Sequence, residues 1–99
     1  MLNIEKKTNG SELTIALTGR LDTTTAPELE SEIKQSLAGV TVLNIDMEAL
    51  EYISSAGLRV LLSTQKIMNK QGSMVIKNAS DEVKEIFEVT GFSDILTIE

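Results

Sequence analysis

The sequence contains no cysteine, no histidine and no tryptophan, a single proline, and three aromatic residues, Tyr52, Phe87 and Phe92. Without cysteine there is no disulfide scaffold, and without histidine as well there is no structural zinc site. The same absences remove the commonest general base and the strongest nucleophile, so Ser-His and Cys-His catalysis cannot be assembled within the chain. Any chemistry of its own would fall to carboxylates, hydroxyls or lysines. Positive charge is also scarce. Nine basic residues face fifteen acidic ones, a net charge of −6, and the two arginines, Arg20 and Arg59, lie in no basic run. A nucleic-acid or anionic-membrane partner needs a basic face, so we expect neither. No stretch approaches the roughly 20 apolar residues of a membrane span, and Met1-Leu2-Asn3-Ile4-Glu5-Lys6 has no apolar signal region. We therefore expect a cytoplasmic protein, and set aside the sequon Asn78-Ala79-Ser80 for want of a secretory signal. Neither G-x-x-x-x-G-K-[ST] nor G-x-G-x-x-G occurs, so we expect no enzyme, and no cofactor is called for.

What the chain does contain is ordered patterning. Its 99 residues, 41% hydrophobic and 24% charged, suit one globular domain spanning residues 1–99. Leu2 and Ile4, then Leu13, Ile15 and Leu17, alternate with polar or small residues around Asn9-Gly10, the favoured pair for a type I′ turn. This reads as a β-hairpin. Ala26, Leu29, Ile33 and Leu37 form an apolar stripe opposite Glu28, Glu32, Lys34 and Gln35, the mark of an amphipathic helix. Thr25 and Glu28 have capping-box spacing, Pro27 sits in the first turn, and Gly39 is the expected end.

Val40 to Asp46 reads as an interior strand. A second helix is expected from about Ser55 to Gln71, closed by Gly72, with Leu58, Leu61, Leu62 and Gln65 inward. Arg59, Ser63, Lys66 and Lys70 form its polar stripe. Met74 to Ile76 is a short strand. Val83, Ile86, Phe87 and Thr90 line a third helix that starts near Ser80 and closes at Gly91. Ile95 to Ile98 completes the series as a last strand. The order is ββαβαβαβ, an α/β fold with a mixed sheet, because short strand–helix–strand connections require parallel pairing.

Function in open α/β sheets collects where strands lead into helix N-termini. The junction from Asp46 to Leu58 is the informative one. It ends in Ser54-Ser55-Ala56-Gly57, a run of uniformly small residues. Ser54 is suited to cap the helix, and Gly57 then marks a close approach, at a cost of about 1 kcal/mol in helix propensity relative to alanine. A hydroxyl in this first turn is also suited to carry a phosphate, because free N–H groups and the helix dipole favour an anion. Such a phosphate adds about −1.5 to −2 charges beside Asp46, Glu48, Glu51 and Asp22. An acidic or tightly packed partner surface would reject it.

The block Leu43-Asn44-Ile45-Asp46 through Tyr52-Ile53-Ser54-Ser55-Ala56-Gly57-Leu58-Arg59-Val60-Leu61-Leu62 resembles the STAS-domain anti-sigma-factor antagonists of bacteria. Leu17-Thr18-Gly19-Arg20-Leu21-Asp22 with Thr25-Ala26-Pro27-Glu28-Leu29 is similar to the same family, and the resemblance covers nearly the whole chain. It implies a STAS fold and a binding module that captures an anti-sigma factor, itself a serine kinase, and so frees the sigma factor. It also implies phosphorylation on the serine two places before the Gly-Leu pair, which is Ser55, and reversal by a PP2C-type phosphatase. Ser54 is the lesser candidate, because its hydroxyl is wanted for capping. The residue before the acceptor is often aspartate in the family and is Ser54 here; the residue after it is often serine or threonine and is Ala56 here. The implied partner-binding residues are Asp22, Thr23, Ser54, Ser55, Ala56, Gly57 and Arg59. Asp22 also reads as an Asx-turn into the first helix, and Arg59 also reads as a solvated charge. A STAS module serving a transporter accessory complex or signalling scaffold has the same fold and remains the alternative.

Overall fold

In the computed structural model, which describes residues 2–99, strand β1 (Leu2–Asn9) and strand β2 (Glu12–Leu21) form the expected antiparallel hairpin. Its turn differs from the expectation. Asn9 pairs with Glu12, so the two-residue loop is Gly10-Ser11, and Gly10 takes φ +62°. A glycine at the first central position is the type II′ arrangement, not the type I′ turn centred on Asn9-Gly10.

Helix α1 (Ala26–Ser36), strand β3 (Val42–Ile53), helix α2 (Ser55–Gln71), strand β4 (Ser73–Lys77) and helix α3 (Asp81–Thr90) follow. The sheet runs β1-β2-β3-β4, with β2/β3 and β3/β4 parallel. Register sets Leu13, Leu43 and Met74 side by side, then Ile15, Ile45 and Ile76. These side chains are buried and share one hydrophobic cluster with Leu29 and Ile33 of α1, Leu58, Leu61 and Met68 of α2, and Val83 and Phe87 of α3. The helices thus cover one face of the sheet. On the other, half-exposed Thr14 neighbours buried Asn44, whose amide donates to Glu12 Oε2 at 2.6 Å.

Four sequence expectations are corrected by this arrangement. Helix α1 stops at Ser36, not at Gly39. The Gln71 amide donates to the Leu37 carbonyl at 2.8 Å and the Val40 carbonyl at 2.6 Å, supplying partners that a further helical turn would otherwise provide. Strand β3 does not end at Asp46 but runs on to Ile53, with register shifts against β2 at Ala16/Thr18 and Gly19/Arg20. Each shift places an extra β3 residue opposite β2, so the buried positions pass from alternation at Leu43, Ile45 and Met47 to a spacing of three at Leu50 and Ile53. In α2 the buried side includes Val60, Thr64 and Met68 beside Leu58, Leu61 and Gln65, while Leu62 is half-buried, because the helix packs on both the sheet and α1.

The last expected strand is reduced to a single parallel bridge between Ile76 and Ile98. The Phe92 carbonyl accepts from Ile95 N–H at 3.0 Å and Leu96 N–H at 2.8 Å, holding that stretch curled through a 3₁₀ turn at Phe92–Asp94. Only Thr97 and Glu99 then reach the Ile76 backbone. Helix α3 keeps its expected limits: Ser80 Oγ accepts from Val83 N–H at 3.2 Å, and Gly91 closes the helix in the left-handed conformation at φ +81°.

Candidate functional site

The candidate site lies where β2 and β3 end and α1 and α2 begin. The Ser54 N–H donates to the Leu21 carbonyl at 2.8 Å, joining the two strand ends at the point where α2 starts. Ser54 is in extended conformation and caps the helix, its Oγ accepting from the Gly57 N–H at 3.3 Å and its carbonyl accepting from the Leu58 N–H at 3.0 Å. This is the capping role expected of it. Ser55 is the first helical residue, and its side chain is exposed. Its hydroxyl makes no hydrogen bond to another described side chain or backbone group within the site. The two serines are therefore unlike: one hydroxyl is occupied by the helix and the other faces outward.

Gly57 faces inward. A Cβ there would stand 2.7 Å from Leu21 Cγ, 2.9 Å from Leu21 Cδ2 and 3.0 Å from Ile53 Cγ1. The absent side chain lets α2 rest directly on the ends of β2 and β3, and that seating fixes where Ser55 is displayed. Ala56 is half-buried beside it.

The neighbouring loop is held by Asp22. Its Oδ1 accepts from Thr24 Oγ1 at 2.7 Å, from Thr24 N–H at 3.0 Å and from Thr25 N–H at 3.1 Å. This is the Asx-turn expected from the sequence. The Thr24 hydroxyl foremost, with the Thr25 and Thr24 backbone N–H groups and the Thr25 hydroxyl, holds the Asp22 carboxyl below the ordinary aspartate value against a smaller opposing effect of desolvation. Thr25 does not form the expected capping box. Its Oγ1 accepts from the Asp22 N–H at 2.8 Å and donates to the Arg20 carbonyl at 2.9 Å, so the hydroxyl ties the end of β2 to α1 rather than capping the helix.

Asp22 follows Leu21, whose carbonyl holds Ser54, so Asp22 and the serine pair stand on adjacent strand ends. Thr23, Ala56 and Arg59 come together along a groove of about 210 Å³ between α1 and α2, lined also by Ala26, Pro27, Glu30 and Val60. One pair was not foreseen. Arg20 and Tyr52 are partners across β2 and β3, and the Arg20 guanidinium lies 4.3 Å from the centre of the Tyr52 ring. Both side chains are exposed. The signal for this pairing was the strand register, which is invisible while residues 47–53 are read as a loop. Among the described residues no group of three or more acidic side chains is placed to hold a metal ion, and no helix is long and apolar enough to cross a membrane.

Comparison with known proteins agrees with the fold. The family model for the STAS domain matches residues 3–99. The anti-sigma-B factor antagonist of Bacillus subtilis is 30% identical over 98 residues, which span 98% of this chain and 90% of that protein. Among solved structures, an anti-sigma factor antagonist from Mycobacterium paratuberculosis superposes with a TM-score of 0.90 at 22% identity, covering 99% of this chain and 85% of that one. The Bacillus cell fate determinant SpoIIAA in its phosphorylated form superposes with a TM-score of 0.77 at 18% identity, covering 98% and 91% respectively. Fold, element order and sequence thus converge, and the chain belongs to the STAS-domain family that includes the anti-sigma factor antagonists.

Proposed function

We propose that this protein is an anti-sigma factor antagonist: unphosphorylated, it binds an anti-sigma factor that is a serine kinase and so releases a sigma factor in the cytoplasm. Phosphorylation on Ser55 ends the complex, and a PP2C-type phosphatase restores the binding form. The observation that carries this reading is the division of labour between the two serines. Ser54 is committed to the helix cap, whereas Ser55 presents a free hydroxyl on the first turn of α2. The names of the curated relatives support the same role.

The chemistry fits a substrate rather than a catalyst. In the transfer, Ser55 Oγ forms a bond to the γ-phosphorus of ATP, the bond to the ADP oxygen breaks, and the serine proton passes to a base. In this reading the kinase supplies that base. The helix N-terminus accommodates the product locally, because an anion there is favoured by the dipole. Asp22, Thr23, Ser54, Ala56, Gly57 and Arg59 are the surrounding docking residues in this reading. Gly57 contributes by seating the helix, since it is itself buried.

The test is capture of partners from source-cell lysate with and without ATP, followed by intact-mass and site mapping of the bait. A kinase-type partner retained without ATP, and one phosphoryl group on Ser55 with it, is the expected result. Ser55→Ala should remain bound in the presence of ATP, and Ser55→Asp should bind poorly while melting like the wild type. Modification elsewhere, or equal binding by both variants, contradicts the proposal.

A further inference from the structure

The chain's two arginines, Arg20 and Arg59, stand at the same end of the molecule as Ser55. Arg20 lies on the rung just before the Leu21–Ser54 junction, and Arg59 is one helical turn beyond Ser55. Neither guanidinium pairs with a carboxylate among the described residues, where the ion pairs are Lys6–Glu32 and Lys34–Glu30. The chain carries a net charge of −6, and Asp22 lies within two residues of Arg20 and Glu51 within one of Tyr52.

Arg20 is also pre-organised. Stacking on Tyr52 restrains the guanidinium while leaving its N–H fork open, so less side-chain freedom is lost when it binds. Tyrosine and arginine are the residue types in which interface binding energy concentrates, and Tyr52 is 37% exposed. Arg59 lines the α1–α2 groove together with Ala26, Pro27, Ala56 and Val60.

These placements bear on how a phosphate could act. The helix end favours the added charge, so the fold itself gives no reason for binding to fail; the cause must lie in what the surface meets. We propose that Arg20 and Arg59 are carboxylate anchors flanking Ser55, that the anti-sigma factor presents an acidic surface to them, and that a phosphate on Ser55 competes for the same guanidinium groups. This rests on the function proposed above. Residues four apart on a helix have Cβ atoms about 5–6 Å from each other, a span that a phosphoserine and an arginine bridge with a charge-assisted pair. The phosphate then both occupies Arg59 and repels the carboxylates that Arg59 and Arg20 would have met.

The experiment titrates the unphosphorylated chain and its variants against the kinase-type partner recovered with it, at low and high salt. Arg20→Ala and Arg59→Ala should each weaken binding about tenfold, with Tyr52→Ala in the same direction and Lys66→Ala without effect. Binding should weaken as salt rises. In chain carrying phosphoserine installed at position 55, a ³¹P titration should place the second phosphate ionisation lower in the wild type than in Arg59→Ala, with Arg59→Lys intermediate. Wild-type binding by both arginine variants, or an unmoved phosphate titration, overturns this inference and leaves the function standing. A wild-type chain that binds no kinase overturns the function and the inference together.

Discussion

Gly57→Ala tests how the site is built. The added methyl would meet Leu21 Cγ at 2.7 Å, Leu21 Cδ2 at 2.9 Å and Ile53 Cγ1 at 3.0 Å. Leu21 is fully buried and Ile53 nearly so, so neither has free volume into which to retreat. Overpacking of this kind costs about 1–3 kcal/mol. Against it stands the gain of about 1 kcal/mol on replacing a helical glycine by alanine, reduced here because the position lies in the first turn. A net loss of about 1–2 kcal/mol is therefore expected, read as a lower urea midpoint at unchanged slope. The same substitution in a Leu21→Ala background provides the control. With the leucine truncated, Gly57→Ala should become neutral or stabilising by up to about 1 kcal/mol, so the double-mutant cycle should show strong coupling. A Gly57→Ala chain that is as stable as the wild type, with no coupling to Leu21, would refute the close-packing account of the small-residue run.

Other expectations concern the same junction. Ser54→Ala should cost about 1 kcal/mol through loss of the helix cap, whereas Ser55→Ala should stay within about 0.5 kcal/mol of the wild type; paired thermal melts distinguish them. Asp22 has a folded pKa below its unfolded value, so its contribution to stability is present above the unfolded pKa and is lost as pH falls through the folded one. The acid limb of the stability curve, below the ordinary aspartate value of about 3.9, should accordingly be flatter in Asp22→Asn. An unchanged limb would mean that the Thr24 and Thr25 hydrogen bonds do not favour the charged carboxylate.

The sequence was most informative where signals are local. The Ser54 cap, the helix start near Ser80 and the Gly91 stop act within a few residues of themselves, and each appears where expected. Long-range pairing was less legible. Residues 47–53 look irregular because two bulges move the buried positions off a period of two, and only the β2 partner strand reveals that the chain is still in the sheet. The Arg20–Tyr52 pair has no local sequence signal, because it exists only through the register that sets those residues opposite each other. Thr25 carried a valid capping motif, yet its hydroxyl is drawn to the Arg20 carbonyl at 2.9 Å, a tertiary contact that overrides the local pattern. The last strand failed for a similar reason, since Phe92 retains the Ile95 and Leu96 N–H groups.

The central claim is that one hydroxyl at the start of α2 switches this surface between binding and release. The most direct measurement compares chain with serine and chain with installed phosphoserine at position 55, by calorimetric titration against the same purified anti-sigma factor kinase. The account predicts that the phosphorylated chain binds at least about 100-fold more weakly, a difference of about 2.8 kcal/mol, while its melting curve shows an intact fold. Equal affinities for the two forms would contradict it.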